Sequence, residues 1–247
     1  MTEVTADEVV KETSGPIHDI GSELFIGSEA LGRAREWGWQ NPYSFYFAGR
    51  AGVMGDVSGE VAAAALGWFV PGLVGALYTE GQQVHGPGEA TRRMVEGNAI
   101  WGRDHLSGAA MEPFVEAAEK LVDGIEASGL PLFAGWRAQP RVPDAAGRAA
   151  QLMQVLREWR GANHLVATTA VGLSPLEAIL TNEGEGQAKR FGWPEPYPDV
   201  SAKAELHTRA EELTDALCAS PVESLLSSAE RAAFVEGVAR ARSATKG

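Results

Sequence analysis

The sequence predicts an all-α fold, a multi-helix orthogonal bundle forming a single compact domain with a short C-terminal helical pair. Three observations carry this expectation. Apolar residues recur at three- and four-residue spacing, as in Leu152, Val155, Leu156 and Trp159, the period of a helix with one buried face. Boxes of the form Ser/Thr-x-x-Glu, which start helices by exchanging hydrogen bonds between cap and first turn, occur at Thr5–Glu8 and Ser174–Glu177. No segment alternates with period two through β-branched residues, so strands are not expected. With 247 residues the chain can bury a core without covalent staples.

Taken in order, Thr5 caps a first helix that Gly15-Pro16 is expected to stop, and Ser28-Glu29 opens a second through Arg35. Asn41-Pro42 is a turn signal, after which the pattern is helical from Tyr43 to Arg50. Ser58-Gly59-Glu60 starts eighteen uncharged residues, Val61 to Tyr78, read as one kinked, buried helix broken around Gly67 to Pro71. This run is too rich in alanine and glycine to read as a membrane span. Helices follow from Glu89 to about His105 and from Glu112 to about Ser128, then a linker-like segment around Trp136. Asp144 caps a long helix reaching about Val171, and Ser174 restarts another. Residues 184–198, ending Pro194-Glu195-Pro196-Tyr197-Pro198, read as a loop of polyproline character. Two last helices, about Ala202 to Ala219 and Pro221 to Arg240, either pack back or join a second copy of the chain. The expected organisation is a helical ligand-pocket domain over 1–180, a Gly/Pro-rich loop over 181–200 and C-terminal helices over 201–247, seven to ten helices in all.

Composition narrows the function classes. Acidic residues outnumber basic ones 33 to 21, a net charge of -12, so nucleic acid is not an expected partner without a segregated basic face. The single cysteine excludes a disulfide framework. The N-terminus lacks a basic and an apolar region, so a cytoplasmic protein is expected. No metal-ligand spacing, phosphate loop or nucleophile elbow occurs, and the residues name no cofactor.

Chemistry concentrates on the long helix. Arg157, Arg160 and His164 fall within about 60° of one another and form a polar stripe beside an apolar face. Such a stripe is costly to bury unless an anion or hydrogen-bonding group meets it. It reads either as an anion clamp with His164 as acid or base, or as arginines paired with Glu158 or neighbouring acids. Tyr46 and Arg50, four residues apart, share a face that presents a hydroxyl and a guanidinium. His18 follows the Gly-Pro signal and either caps a helix or faces a cavity, while Trp68 lies between glycines that leave room beside it. Glu177 has a complete capping-box explanation alongside its place in the expected ligand set.

These motifs, in their order, resemble an actinobacterial family of helical proteins that carries a helix-turn-helix label. The matching stretches are Gly15-Pro16-Ile17-His18, Phe45 to Arg50 followed by Gly55, Trp68-Phe69-Val70-Pro71, Leu130 to Phe133, and Leu156 to His164. Gly172-Leu173, Leu176-Glu177-Ala178, Glu211 and Thr214-Asp215 complete the series. The resemblance implies about fifty residues of winged-helix module after the Leu-Glu-Ala box. Here Glu177 to Glu211 leaves no room for both a recognition helix and a wing. Trp68 stands where the family's pattern has asparagine, and Trp159 where it has a second histidine, which suggests a pocket suited to an aromatic or apolar ligand.

The expected function is therefore a small-molecule-binding all-α protein, in its catalytic form an enzyme of specialised metabolism. His164, His18 and Arg157 would be its catalytic set, and Tyr46, Arg50, Trp68, Arg160, Glu158 and Glu177 its ligand-binding set. The alternative is a ligand-responsive transcriptional regulator with a reduced helix-turn-helix. A homodimer is among the expected assemblies.

Overall fold

The computed structural model describes residues 3–245, which form thirteen α-helices and one 3-10 turn, Gly52–Met54, with no strand among the described residues. The helices are α1 (Ala6–Ile26), α2 (Ser28–Glu36), α3 (Pro42–Ala51), α4 (Gly59–Leu66), α5 (Pro71–His85), α6 (Glu89–Leu106) and α7 (Glu112–Gly124). They continue as α8 (Pro131–Arg137), α9 (Ala145–Ala170), α10 (Pro175–Asn182), α11 (Glu185–Arg190), α12 (Ala204–Leu225) and α13 (Ser228–Ala244). The all-α, single-domain expectation holds. No single helix is long and apolar enough to cross a membrane.

α9 is the axis of the domain. Its 26 residues span about 39 Å at 1.5 Å per residue, and α1, α6, α7, α8, α10 and α12 all pack on it. Asp144 caps it by accepting from the Gly147 amide at 2.8 Å. Its first half is small-residue rich, which lets α6 approach until Gly102 sits against the Ala146 carbonyl and Ala150. α12 packs on α9 and α1, and α13 on α7 and α1, so the last two helices fold back onto the domain.

Five local readings change. Gly15-Pro16 does not end α1: Pro16 lies inside it, because Ile17, Ile20, Leu24 and Phe25 beyond the proline are buried and offset the lost backbone bond. The run Val61 to Tyr78 is two helices, since Gly67 adopts φ +51 and Pro71 begins α5 as its first residue. The segment around Trp136 is α8, held by the buried indole donating to the Arg50 carbonyl at 3.1 Å. Pro221 lies within α12, and the last helix is instead capped by Ser227 with Glu230.

The fifth change concerns 184–198, where α11 occupies what reads as loop. Ile179, Leu180 and Ala188 form a small separate core, against which Trp68, Phe191, Trp193 and Tyr197 pack. Trp193 Nε1 donates to the Trp68 carbonyl at 2.9 Å and the Val70 amide to the Phe191 carbonyl at 3.0 Å. Phe191 and Trp193, just ahead of the proline run, fasten this segment to the α4–α5 junction.

The closest helix approach outside α9 is between α3 and α5, where Gly81 lies on the Ser44 carbonyl and Ala48, and its own carbonyl accepts from buried Trp39 at 2.9 Å. Gly81→Ala is expected to cost about 1–3 kcal/mol in equilibrium denaturation, because backbone atoms of α3 cannot give way. Gly32→Ala on α2, where nothing stands within 4 Å of a new Cβ, is expected to stabilise by up to about 1 kcal/mol.

Candidate functional site

A cavity of about 570 Å³ lies where α1, α9 and α12 separate, with α10 and α11 at one end. α9 contributes Leu156, Arg157, Trp159, Arg160, Gly161 and His164 to its lining. α1 adds Val9, Thr13 and Ile17 at four-residue steps, with His18 and Ser22 four residues apart beside them, and α12 adds His207, Glu211, Cys218 and Val222. Tyr46, Arg50, Trp68 and Phe69 come from the α3 and α4–α5 regions. The fold thus brings seven of the sequence-predicted residues to the lining of this space, His18, Tyr46, Arg50, Trp68, Arg157, Arg160 and His164, with Glu158 bonded to Arg50.

The arginines have different partners. Arg50 is 7% exposed and its guanidinium makes a two-pronged pair with Glu158, itself 1% exposed: Nε to Oε1 at 2.6 Å and Nη2 to Oε2 at 3.0 Å. Its remaining nitrogen donates to the Tyr46 hydroxyl at 2.6 Å, and Gln154 Nε2 adds a bond to Glu158 at 3.2 Å. Arg50 is therefore held firmly charged, its pKa raised because the attraction of Glu158 and Tyr46 outweighs desolvation. Glu158 is the counter-ion of Arg50 and does not line the cavity. Arg160 donates to Glu211 at 3.2 Å and Asp215 at 3.0 Å.

Arg157 has neither. Among the described residues no carboxylate lies within ion-pair distance of it and no atom accepts a hydrogen bond from it, and its Nε is buried without a partner. Burial first, and then the neighbouring Arg50, push its pKa down. The guanidinium carbon stands 5.1 Å from the centre of the Phe25 ring, whose other close cation is Arg50 at 5.2 Å. Gly21 makes this placement possible, since any Cβ there would overlap Arg157 Cδ. Arg50 and Glu158 cancel, so this wall of the cavity keeps one uncompensated positive charge.

At the other end His164 Nδ1 lies 2.9 Å from the Thr214 hydroxyl, which itself donates to the Ala210 carbonyl at 2.6 Å. With that hydroxyl proton committed, the Nδ1 position supplies the hydrogen, leaving Nε2 the acceptor of the neutral ring. Nε2 faces Glu211 Oε1 at 3.5 Å, and Trp68 stacks on the imidazole with ring centres 5.1 Å apart and planes inclined by 22°. Desolvation lowers the His164 pKa, opposed by Glu211. His18 stands at the mouth, open to solvent, with its pKa lowered by partial burial and then by Arg157.

Trp159 is buried at 6% exposure and Trp68 half-buried, so both tryptophans face the interior. Glu177 does not border the cavity: it closes its capping box with Ser174 and pairs with Lys203 at 3.3 Å. Glu211, Thr214 and His207 were not among the expected site residues. Their signal was available, because His207, Glu211, Thr214 and Cys218 repeat at four, three and four residues and share a face of α12. Cys218 is inert at neutral pH, burial holding its thiol up at about 11. No three or more His, Cys, Asp or Glu side chains are grouped to hold a metal ion among the described residues.

The chain belongs to the helix-turn-helix family, whose model matches residues 9–197. The matched span runs from α1 through α11 and ends before α12, so Glu211 and Thr214 lie outside it while Arg157 and His164 lie within. No curated protein and no solved structure gives a significant match to the chain.

Removing one partner of the buried pair leaves a lone buried charge: Glu158→Gln is expected to lower stability by about 3–5 kcal/mol in urea titration, with the Arg50→Met, Glu158→Met double variant recovering most of it. A loss under about 1 kcal/mol would count against this reading of the pair. Both histidines have folded-state pKa values below 6.5. The unfolded chain therefore takes up protons first, and stability, complete above about pH 6.5, declines as pH falls below it. Melting temperature is expected to drop between about pH 7.5 and pH 5.5, less steeply in His18→Asn.

Proposed function

We propose that the chain binds a small organic anion in the cavity between α1, α9 and α12. The observation that carries this reading is Arg157, a guanidinium lining the cavity with no acceptor among the described residues and an unpartnered buried Nε. A half-buried guanidinium without a counter-ion bears part of the desolvation cost of a buried charge, and an incoming carboxylate recovers some of it through a charge-assisted, two-pronged bond. The surroundings suit the body of such a molecule: Ile17, Leu156, Trp159, Phe69 and Val222 give apolar walls. The same geometry supports acid–base chemistry, with His164 Nε2 taking a proton from a bound ligand and Glu211 stabilising the resulting imidazolium.

The family membership favours a second reading, a ligand-responsive regulator. α10 and α11 lie inside the matched region, and Ile179, Asn182, Gln187 and Phe191 on or just beyond them line the cavity. A ligand there would act directly on the segment nearest in sequence to a DNA-reading module. Lys189 and Arg190 are the basic residues of α11, set against a chain of net charge -12.

Isothermal titration with benzoate and a panel of aliphatic monocarboxylates tests the first reading. Wild type is expected to bind at least one of them and Arg157→Gln to lose at least tenfold in affinity, about 1.4 kcal/mol. Equal affinity in the variant removes Arg157, and with it the proposal. Tight binding to DNA that weakens steeply with salt, and changes on adding the carboxylate, supports the second reading.

A further inference from the structure

Arg157, Gly161 and His164 line the cavity from one face of α9, separated by four and three residues. At 100° and 1.5 Å per residue they stay within about 60° of one another and span about 10 Å along the axis. Between the two polar side chains Gly161 offers bare backbone, and nothing stands within 4 Å of the place its Cβ would occupy. Glycine in the middle of a long helix is unfavourable relative to alanine. Packing explains some helical glycines, such as Gly102, whose Cβ would strike α9, and Gly21, which accommodates Arg157, whereas Gly161, like Gly15 and Gly32, meets nothing within 4 Å. No protein atom explains Gly161. The space above it belongs to the cavity.

The two ends of this strip have opposite hydrogen-bonding character. Arg157 offers donors and a positive charge. At the other end, the neutral His164 ring presents Nε2 as an acceptor, opposite the Glu211 carboxylate at 3.5 Å. A hydroxyl lying beside this pair finds an acceptor for its proton there. Trp68, stacked on the imidazole, and Phe69 and Trp159 on the lining surround the strip with aromatic surface.

We infer that the cavity takes a flat aromatic monoanion about 10 Å between its polar ends, laid along α9 over Gly161. Its carboxylate meets Arg157 and its hydroxyl donates to His164 Nε2, beside the Glu211 carboxylate. The inference rests on the reading of the cavity as an anion site and adds the ligand's length, shape and second polar group.

The test uses 4-hydroxycinnamate, which has this length and both end groups, with cinnamate, which lacks the hydroxyl, and benzoate, which is too short to cross Gly161. Calorimetry on wild type is expected to give at least tenfold tighter binding for 4-hydroxycinnamate than for cinnamate. Gly161→Leu is expected to keep the wild-type melting temperature and lose at least tenfold in 4-hydroxycinnamate affinity. Gly161→Ala is expected to melt higher than wild type and bind severalfold more weakly, which guards against a folding defect in the leucine variant. Equal affinities for cinnamate and 4-hydroxycinnamate, no binding of 4-hydroxycinnamate, or undiminished binding in both glycine variants overturns the inference. Benzoate binding that depends on Arg157 and survives Gly161→Leu would, in those cases, leave the broader anion-site reading standing. Failure of 4-hydroxycinnamate, benzoate and the aliphatic monocarboxylates alike removes the two together.

Discussion

The ion pair between Arg50 and Glu158 is the constraint around which this domain is arranged. Two charges buried to 7% and 1% exposure are tolerable only when paired and hydrogen-bonded, and here Tyr46 and Gln154 add bonds to the two-pronged pair. The pair joins α3 to α9 across 108 residues of sequence. It also fixes α8, because the Arg50 carbonyl receives the Trp136 indole. Phe25 from α1 packs edge-on against both Tyr46 and Trp136, so four helices meet at one polar knot wrapped in aromatic rings.

The consequence of that knot is Arg157. Adjacent on α9 to Glu158, it cannot use the carboxylate that Arg50 occupies, and it projects on the neighbouring face toward α1. Gly21 admits its side chain and Phe25 shares its ring between the two guanidiniums. The folded chain therefore carries a charge imbalance at one defined point, created by local pairing rather than by overall composition. A net charge of -12 gives no hint of a local positive site. The overall charge of the chain and the local charge at Arg157 have opposite signs.

The all-α class and the stripe on α9 were legible in the sequence because both rest on local periodicity. Asp144, the Ser174 box and the 3.6-residue repeat specify that helix almost by themselves. What periodicity cannot express is which punctuation is overridden. Pro16 and Pro221 both look like helix ends, yet both sit within helices, because buried residues follow each in register. Gly67 looks like a tolerable kink and is a true break, set by its positive φ and the proline four residues on. For the site, the sequence placed Arg157, Arg160 and His164 together but left open whether they bind a ligand or pair with acids. The structure divides them: Arg160 pairs with Glu211 and Asp215, whereas Arg157 does not pair. That division depends on tertiary neighbours from α12, 50 residues or more away.

α10 and α11 close the region matched by the family model and are tied into the domain. Their apolar residues, Ile179, Leu180 and Ala188, are committed to a small core with Trp193 and Tyr197. That core is bonded to the backbone at Trp68 and Val70, and Phe191 packs on Phe69 at 4.5 Å. Trp68 thus has two faces of use: its carbonyl anchors the Trp193 indole while its ring stacks on His164. A helix so fastened has little freedom to present itself elsewhere without disturbing the cavity wall. The contact between Trp68 and His164 therefore joins the cavity wall to α10–α11, alongside Ile179, Asn182, Gln187 and Phe191, which line the cavity themselves.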